Sequence, residues 1–298
     1  MRLWFTLALA ALVQGVVPQV TPARGADELL AADRAFSARA SRVGLVEGLT
    51  PMLADTIIVP GPPATLYRGL TEVTAFLGAS PDATARASWT PIRVGLSADG
   101  LHGFTFGFMT LSHRDGRTVP MKYMAYWIKN PGGWRVAGYK RARRPEGEAS
   151  MAMMPPLLPA EMTAPRSDPA WLDQQRASLV SAERAFSDEA QTIGLGPAFV
   201  KYGQATSVNM GGPANAPYVV GADAIGQLVG RGQPPGTPSP VEWSTDVALV
   251  ASSGDLGVSF GFIRPNARPA AGAAPDGQPF FTIWSRGSTD APWRYIAE

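Results

Sequence analysis

Ala32-Asp33-Arg34-Ala35-Phe36-Ser37 recurs as Ala182-Glu183-Arg184-Ala185-Phe186-Ser187, and this repeat decides the fold. Working outward, Gly44-Leu45 returns as Gly194-Leu195, Gly69 as Gly221 and Trp89 as Trp243. Gly103-Phe-Thr-Phe-Gly-Phe108 returns as Gly257-Val-Ser-Phe-Gly-Phe262, Trp127 as Trp284, and Trp134-Arg135 as Trp293-Arg294. So many ordered matches, several at tryptophan, mark an internal duplication. The division is 1–25 as a removable leader, 26–144 as the first copy, 145–168 as a linker and 169–298 as the second copy.

Each copy opens with a stripe of residues three and four apart, Leu29, Asp33, Phe36 and Ala40 in one and Leu179, Glu183, Phe186 and Ala190 in the other, the spacing of a helix with one buried face. A short helix is expected over 45–53, a strand pair at 56–60 and 65–68 around Gly61-Pro62-Pro63, and a helix over 70–77. Four strands follow at 87–96, 102–112, 121–129 and 134–141, separated by turns that carry Gly or Asn where left-handed backbone is needed. Helices followed by a run of hairpins read as α+β: two cone-shaped domains, each with N-terminal helices on a curved, mostly antiparallel sheet. The 121–129 strand is apolar on both faces, which predicts that the two sheets pack against each other as an internal pseudo-dimer.

The N-terminus carries Arg2, an apolar run to Val17, then Ala23 and Gly25, the pattern of a secretory signal cut near Gly25. The run is too short to span a bilayer, so a periplasmic or secreted protein with no integral membrane segment is expected. The chain has no cysteine, which excludes a lipoprotein anchor and a disulfide framework. Its 26 basic and 24 acidic residues nearly balance, with Arg2 and Arg24 in the leader. Nucleic-acid binding is not expected, because the one basic run, Lys140, Arg141, Arg143 and Arg144, reads as a solvated segment at the start of the linker. The linker, rich in Pro and with Met151, Met153 and Met154, reads as extended packing material. Only two histidines occur, so a multi-histidine metal site is not expected, and with no Walker loop or dinucleotide fingerprint no cofactor is expected either.

The opening Asp-Arg-Ala-Phe helix, Trp89-Thr-Pro91, Gly254-Asp-Leu-Gly257 and the closing Trp-Arg pair resemble the SnoaL-like and ketosteroid-isomerase-like families of the nuclear transport factor 2-like superfamily, in an uncharacterised exported branch. The resemblance implies the cystatin-like cone and relatives that dimerise through the sheet. It fixes no single activity, because the superfamily holds isomerases, cyclases and dehydratases alongside members without known activity.

Asp33 and Glu183 fall on the buried stripes, where an unpaired charge is costly. They accept a tryptophan indole or pair with Arg135 or Arg294, or else serve as pocket carboxylates raised by burial. The candidate catalytic residues are Asp33 and His102; candidate ligand-binding residues are Tyr67, Lys122, Tyr126, Trp89, Glu183 and Trp243. Tyr67, Arg68, His102, Lys122 and Tyr126 have apolar counterparts or a gap in the second copy, which directs the search for a site to the first. The preferred function is non-catalytic binding or scaffolding of a small apolar or carbonyl-containing molecule in a cone. The alternative is an isomerase, dehydratase or cyclase in which Asp33 moves a proton and Tyr67, His102 or Tyr126 steadies an enolate.

Overall fold

The computed structural model describes residues 21–211, 218–234, 236–266 and 277–298. Residues 1–20, most of the expected leader, lie outside them. In the first half, α1 (Pro22–Ala40), α2 (Leu45–Leu49) and α3 (Gly69–Gly78) accompany β1 (Leu53–Gly61), β2 (Thr65–Arg68), β3 (Arg86–Leu96), β4 (His102–Ser112), β5 (Thr118–Asn130) and β6 (Gly133–Arg143). The second half repeats this with α4 (Pro169–Ile193), α5 (Leu195–Tyr202), β7 (Val208–Asn209), β8 (Val219–Val220), α6 (Ala222–Val229), β9 (Val241–Val250), β10 (Leu256–Pro265), β11 (Gln278–Ser285) and β12 (Arg294–Ala297). The sheets run β2-β1-β6-β5-β4-β3 and β8-β7-β12-β11-β10-β9, the same order twice. Among the described strand pairs, β1–β6 and β12–β7 are parallel and the rest antiparallel.

Both long helices start where proline takes the first position and a side chain caps the free amides. Thr21 accepts from Arg24 N at 3.3 Å and Asp168 from Ala170 N at 3.0 Å. Because α1 already begins at Pro22, the cut expected near Gly25 falls within its first turn.

Three apolar layers result. One lies between the first helices and their sheet, with Leu29, Leu45, Ile57, Trp89 and Trp127. A third, in the second half, holds Leu179, Phe186, Trp243 and Trp284. The middle layer joins the sheets face to face: Phe104, Phe106, Phe108, Met124 and Tyr126 meet Val258, Phe260, Phe281 and Ile283. The alternating phenylalanines of β4 therefore face the other domain, while Thr105 and the glycines face the helices. Gly138 is a point of close approach, since a Cβ there would lie 2.6 Å from Phe260 Cζ.

Polar groups also cross the seam. Asp255 accepts from Ala98 N at 2.9 Å, Asp99 accepts from Ser252 Oγ at 2.8 Å, and the Tyr218 hydroxyl lies 2.8 Å from both Gly107 O and Tyr123 O. The linker runs along the outer edge of β3, where Met154 N and Leu157 N donate to Ile92 O and Val94 O at 2.7 and 2.9 Å. It thereby covers an edge that would otherwise expose unpaired amides and carbonyls.

Candidate functional site

The repeated motif works as a clamp on a tryptophan. Asp33 and Ser37 stand one helical turn apart on α1. Asp33 accepts the Trp89 indole N–H, and Ser37 Oγ takes the Trp89 backbone N–H and donates to its carbonyl, both at 2.7 Å. In the second copy Glu183 accepts the Trp243 indole at 2.8 Å and Ser187 accepts Trp243 N at 2.9 Å. Arg135 does not reach Asp33; it bonds Trp134 O and lies over the Phe36 ring. Indole and hydroxyl donors, not arginines, satisfy both acids.

From this shared frame the cones diverge. Gly107 pairs with Tyr123 where Gly261 pairs with Phe280, and Tyr126 pairs with Gly138 where Ile283 pairs with Ala297. Tyr123 and Tyr139 thus correspond to Phe280 and Glu298. In the first cone Tyr123 donates to Asp33 at 2.9 Å, and Tyr139 fills the core with its hydroxyl 3.7 Å from Met109 Sδ. The second cone lacks both phenols, and a cavity of about 250 Å³ opens there. Its wall includes Phe186, Phe199, Trp243, Phe280 and Phe281, with Glu183, Asn209, Glu298 and the first domain's Lys140 as polar members.

Glu183 is 2% exposed and takes the Trp243 indole on one oxygen and the Ser259 hydroxyl and Trp284 indole on the other. Burial nevertheless pushes its carboxyl up to about 7. Glu298 is also raised to about 7, by burial first, with the Asn209 amide and Lys140 opposing the rise. Burial lowers Lys140 and raises Asp33.

A carboxyl that stays protonated in the fold but ionises in the unfolded chain opposes folding at higher pH. Its full contribution is present below the unfolded value of 4.5 and declines as pH rises to about 7. Glu183 alone accounts for on the order of 3 kcal/mol. Thermal unfolding followed from pH 5 to pH 8 should therefore show stability falling, and Glu183→Gln, which imitates the protonated acid, should flatten the slope. A wild type more stable at pH 8 than at pH 5 would contradict the assignment.

Among the residues singled out from the sequence, Glu183 and Trp243 line this cavity. Asp33 and Trp89 are sealed in the filled first cone. His102 and Tyr126 meet through Nδ1 and OH at 2.8 Å on the inter-sheet face, where Lys122 is buried and donates to Met210 O. Tyr67 stacks on Phe76 at 4.0 Å and donates to Pro62 O. Of the polar residues expected to converge on a pocket in the first domain, His102 and Tyr126 meet and Lys122 lies on the same inter-sheet face, while Tyr67 stands apart on Phe76 and Arg68 pairs with Asp246.

Sequence reasoning missed Lys140 and Glu298. Lys140 was placed in a solvated run, yet it sits in β6 and reaches the partner sheet's cavity. Glu298 was legible: aligning Trp134-Arg135 with Trp293-Arg294 sets a carboxylate opposite Tyr139.

Two cone-shaped α+β domains packed sheet to sheet, one with Tyr123 and Tyr139 in its core and one holding a cavity, define a tandem protein of the cystatin-like fold class. No protein-family model matches the chain, and no curated protein matches it by sequence. Solved structures are similar to it one half at a time. A ketosteroid isomerase-like protein from Erwinia carotovora atroseptica is 16% identical, covering 41% of this chain and 97% of its own at a TM-score of 0.34. A nuclear transport factor 2-like protein of unknown function from Shewanella oneidensis is 12% identical, covering 39% and 96% at 0.32. A Mycobacterium tuberculosis protein in complex with estradiol-17β-hemisuccinate is 16% identical, covering 38% and 91% at 0.30. At these identities the likeness concerns the fold alone.

Proposed function

We propose that this is an exported, non-catalytic binding protein whose second cone holds one small, mostly apolar molecule. The cavity carries this reading: about 250 Å³ with aromatic walls and a few polar groups. That is somewhat below the roughly 300–1,000 Å³ of pockets for drug-sized ligands, so the guest is small. The first cone, filled by Tyr123 and Tyr139, serves as support and closes the second sheet from behind. The leader pattern of Met1 to Gly25 supports export, and no described helix is long and apolar enough to cross a membrane.

One observation favours a second reading as an isomerase-type enzyme: Glu183, at about 7, is matched to proton transfer near neutral pH. Against it, both Glu183 oxygens already accept indole or hydroxyl donors, so the carboxylate is held to the frame. Binding is therefore the stronger reading.

The neutral probe 2-naphthol, titrated against tryptophan fluorescence, should bind saturably at one site per chain, because Trp243 stands in the wall. Glu298→Tyr puts back the phenol of the first cone and should weaken binding about tenfold or more by filling the space. Absence of saturable binding, or binding that this variant leaves unchanged, would count against the proposal.

A further inference from the structure

We infer that the second cone's cavity selects small aromatic or alicyclic carboxylates, and that the selecting cation, Lys140, is supplied by the first domain. The inference rests on the binding reading above and adds the chemical class of the guest.

The argument concerns which charged group in the wall still has hydrogen bonds to give. Glu183 is engaged by Trp243, Trp284 and Ser259. Glu298 accepts from Asn209 Nδ2, and the Asn209 side-chain oxygen in turn accepts from Gly211 N. Lys140 differs. Lys140 lines the cavity, and among the described residues its ammonium has the nearby charge of Glu298 but no hydrogen bond and no ion pair within 4 Å. A half-buried ammonium with no hydrogen-bond acceptor, whose neighbouring acid Glu298 is itself pushed toward its protonated form, is a poor arrangement for the empty protein, because a buried charge needs a partner. A carboxylate on the guest supplies one, and its hydrogen bonds to the ammonium are charge-assisted and strong.

The neighbouring acids do not oppose this. Burial favours the protonated form of both Glu183 and Glu298, and the approach of a further carboxylate favours it more, so the cavity gains little repulsion. A cationic amine would suit the aromatic walls by cation–π contact, but it would meet Lys140 and compete for carboxyl oxygens that already have donors.

The arrangement follows from the duplication. Along β6, Tyr139 fills its own cone while Lys140, the next residue, points to the opposite face and toward the second sheet. β12 spans Arg294–Ala297, shorter than its counterpart Gly133–Arg143, and Glu298 occupies the Tyr139 position beside Lys140. The second cone's site is therefore incomplete without the first domain.

Three probes of one ring system, 2-naphthoate, 2-naphthamide and 2-naphthylmethylamine, are titrated against the full chain and against Lys140→Met. Naphthoate should bind about tenfold or more tightly than naphthamide, with the amine weakest. In Lys140→Met, naphthoate affinity should fall to that of the amide, while amide affinity holds, which also shows that the variant is folded. Equal affinity for naphthoate and naphthamide, or a variant that keeps the preference, overturns the inference and leaves the binding reading standing. Tightest binding of the amine overturns it in favour of cation recognition. Failure of all three probes overturns the binding reading itself, and this inference with it.

Discussion

Asp33→Ala is expected to lower unfolding stability by about 3 kcal/mol or more, since it leaves the Trp89 indole and the Tyr123 hydroxyl as buried donors without an acceptor, each costing about 1–3 kcal/mol. Relief from burying the acid itself offsets part of this, because burial already raises its pKa. Asp33→Asn keeps one acceptor oxygen and should lose less. Denaturant unfolding measures both. The second cone's affinity for 2-naphthol should not change in either variant, since Asp33 is sealed in the other cone at 0% exposure. Unchanged stability combined with altered affinity would instead make Asp33 a pocket residue.

Phe260→Ala should cost about 3–5 kcal/mol, the usual range for truncating a buried phenylalanine. Its ring is fully buried at the sheet-to-sheet seam, stacked on Phe281 at 5.1 Å and 6° and pressed against Gly138 of the opposite sheet. The loss falls on the contact between domains, so calorimetry should show the single transition of the wild type separating into two. By the same physics, residues 26–145 produced alone would expose Phe104, Phe106, Phe108 and Met124 as one apolar face and should self-associate. A stable, non-associating monomer would mean that the seam contributes little.

The fold was legible because the repeat could be read against itself. The helices, hairpins and sheet faces of the first copy follow from spacing and turn residues, and the two-sided apolar character of β5 foretold the seam. The strand of alternating phenylalanine and glycine shows the limit of such reading. Period two separates the faces of β4 but does not say which neighbour each face meets, and the phenylalanines met the other domain. The site was harder for a related reason. Polar residues present in one copy and absent from the other suggested a pocket in the first, whereas what opens a cone is the loss of bulk. Tyr123 and Tyr139 close one interior; Phe280 and Glu298 leave space in the other. Lys140 reaches the cavity from across the seam, and a contact between distant strands leaves no mark in local spacing.

The most direct test of this account is a crystal structure of the full chain with 2-naphthol. The account predicts density for one ring system between Phe186, Trp243 and Phe280, with Glu183 and Lys140 at the cavity wall, and an interior around Asp33 filled by Tyr123 and Tyr139. A second cone closed by its own side chains, or probe bound in the first cone instead, would contradict it.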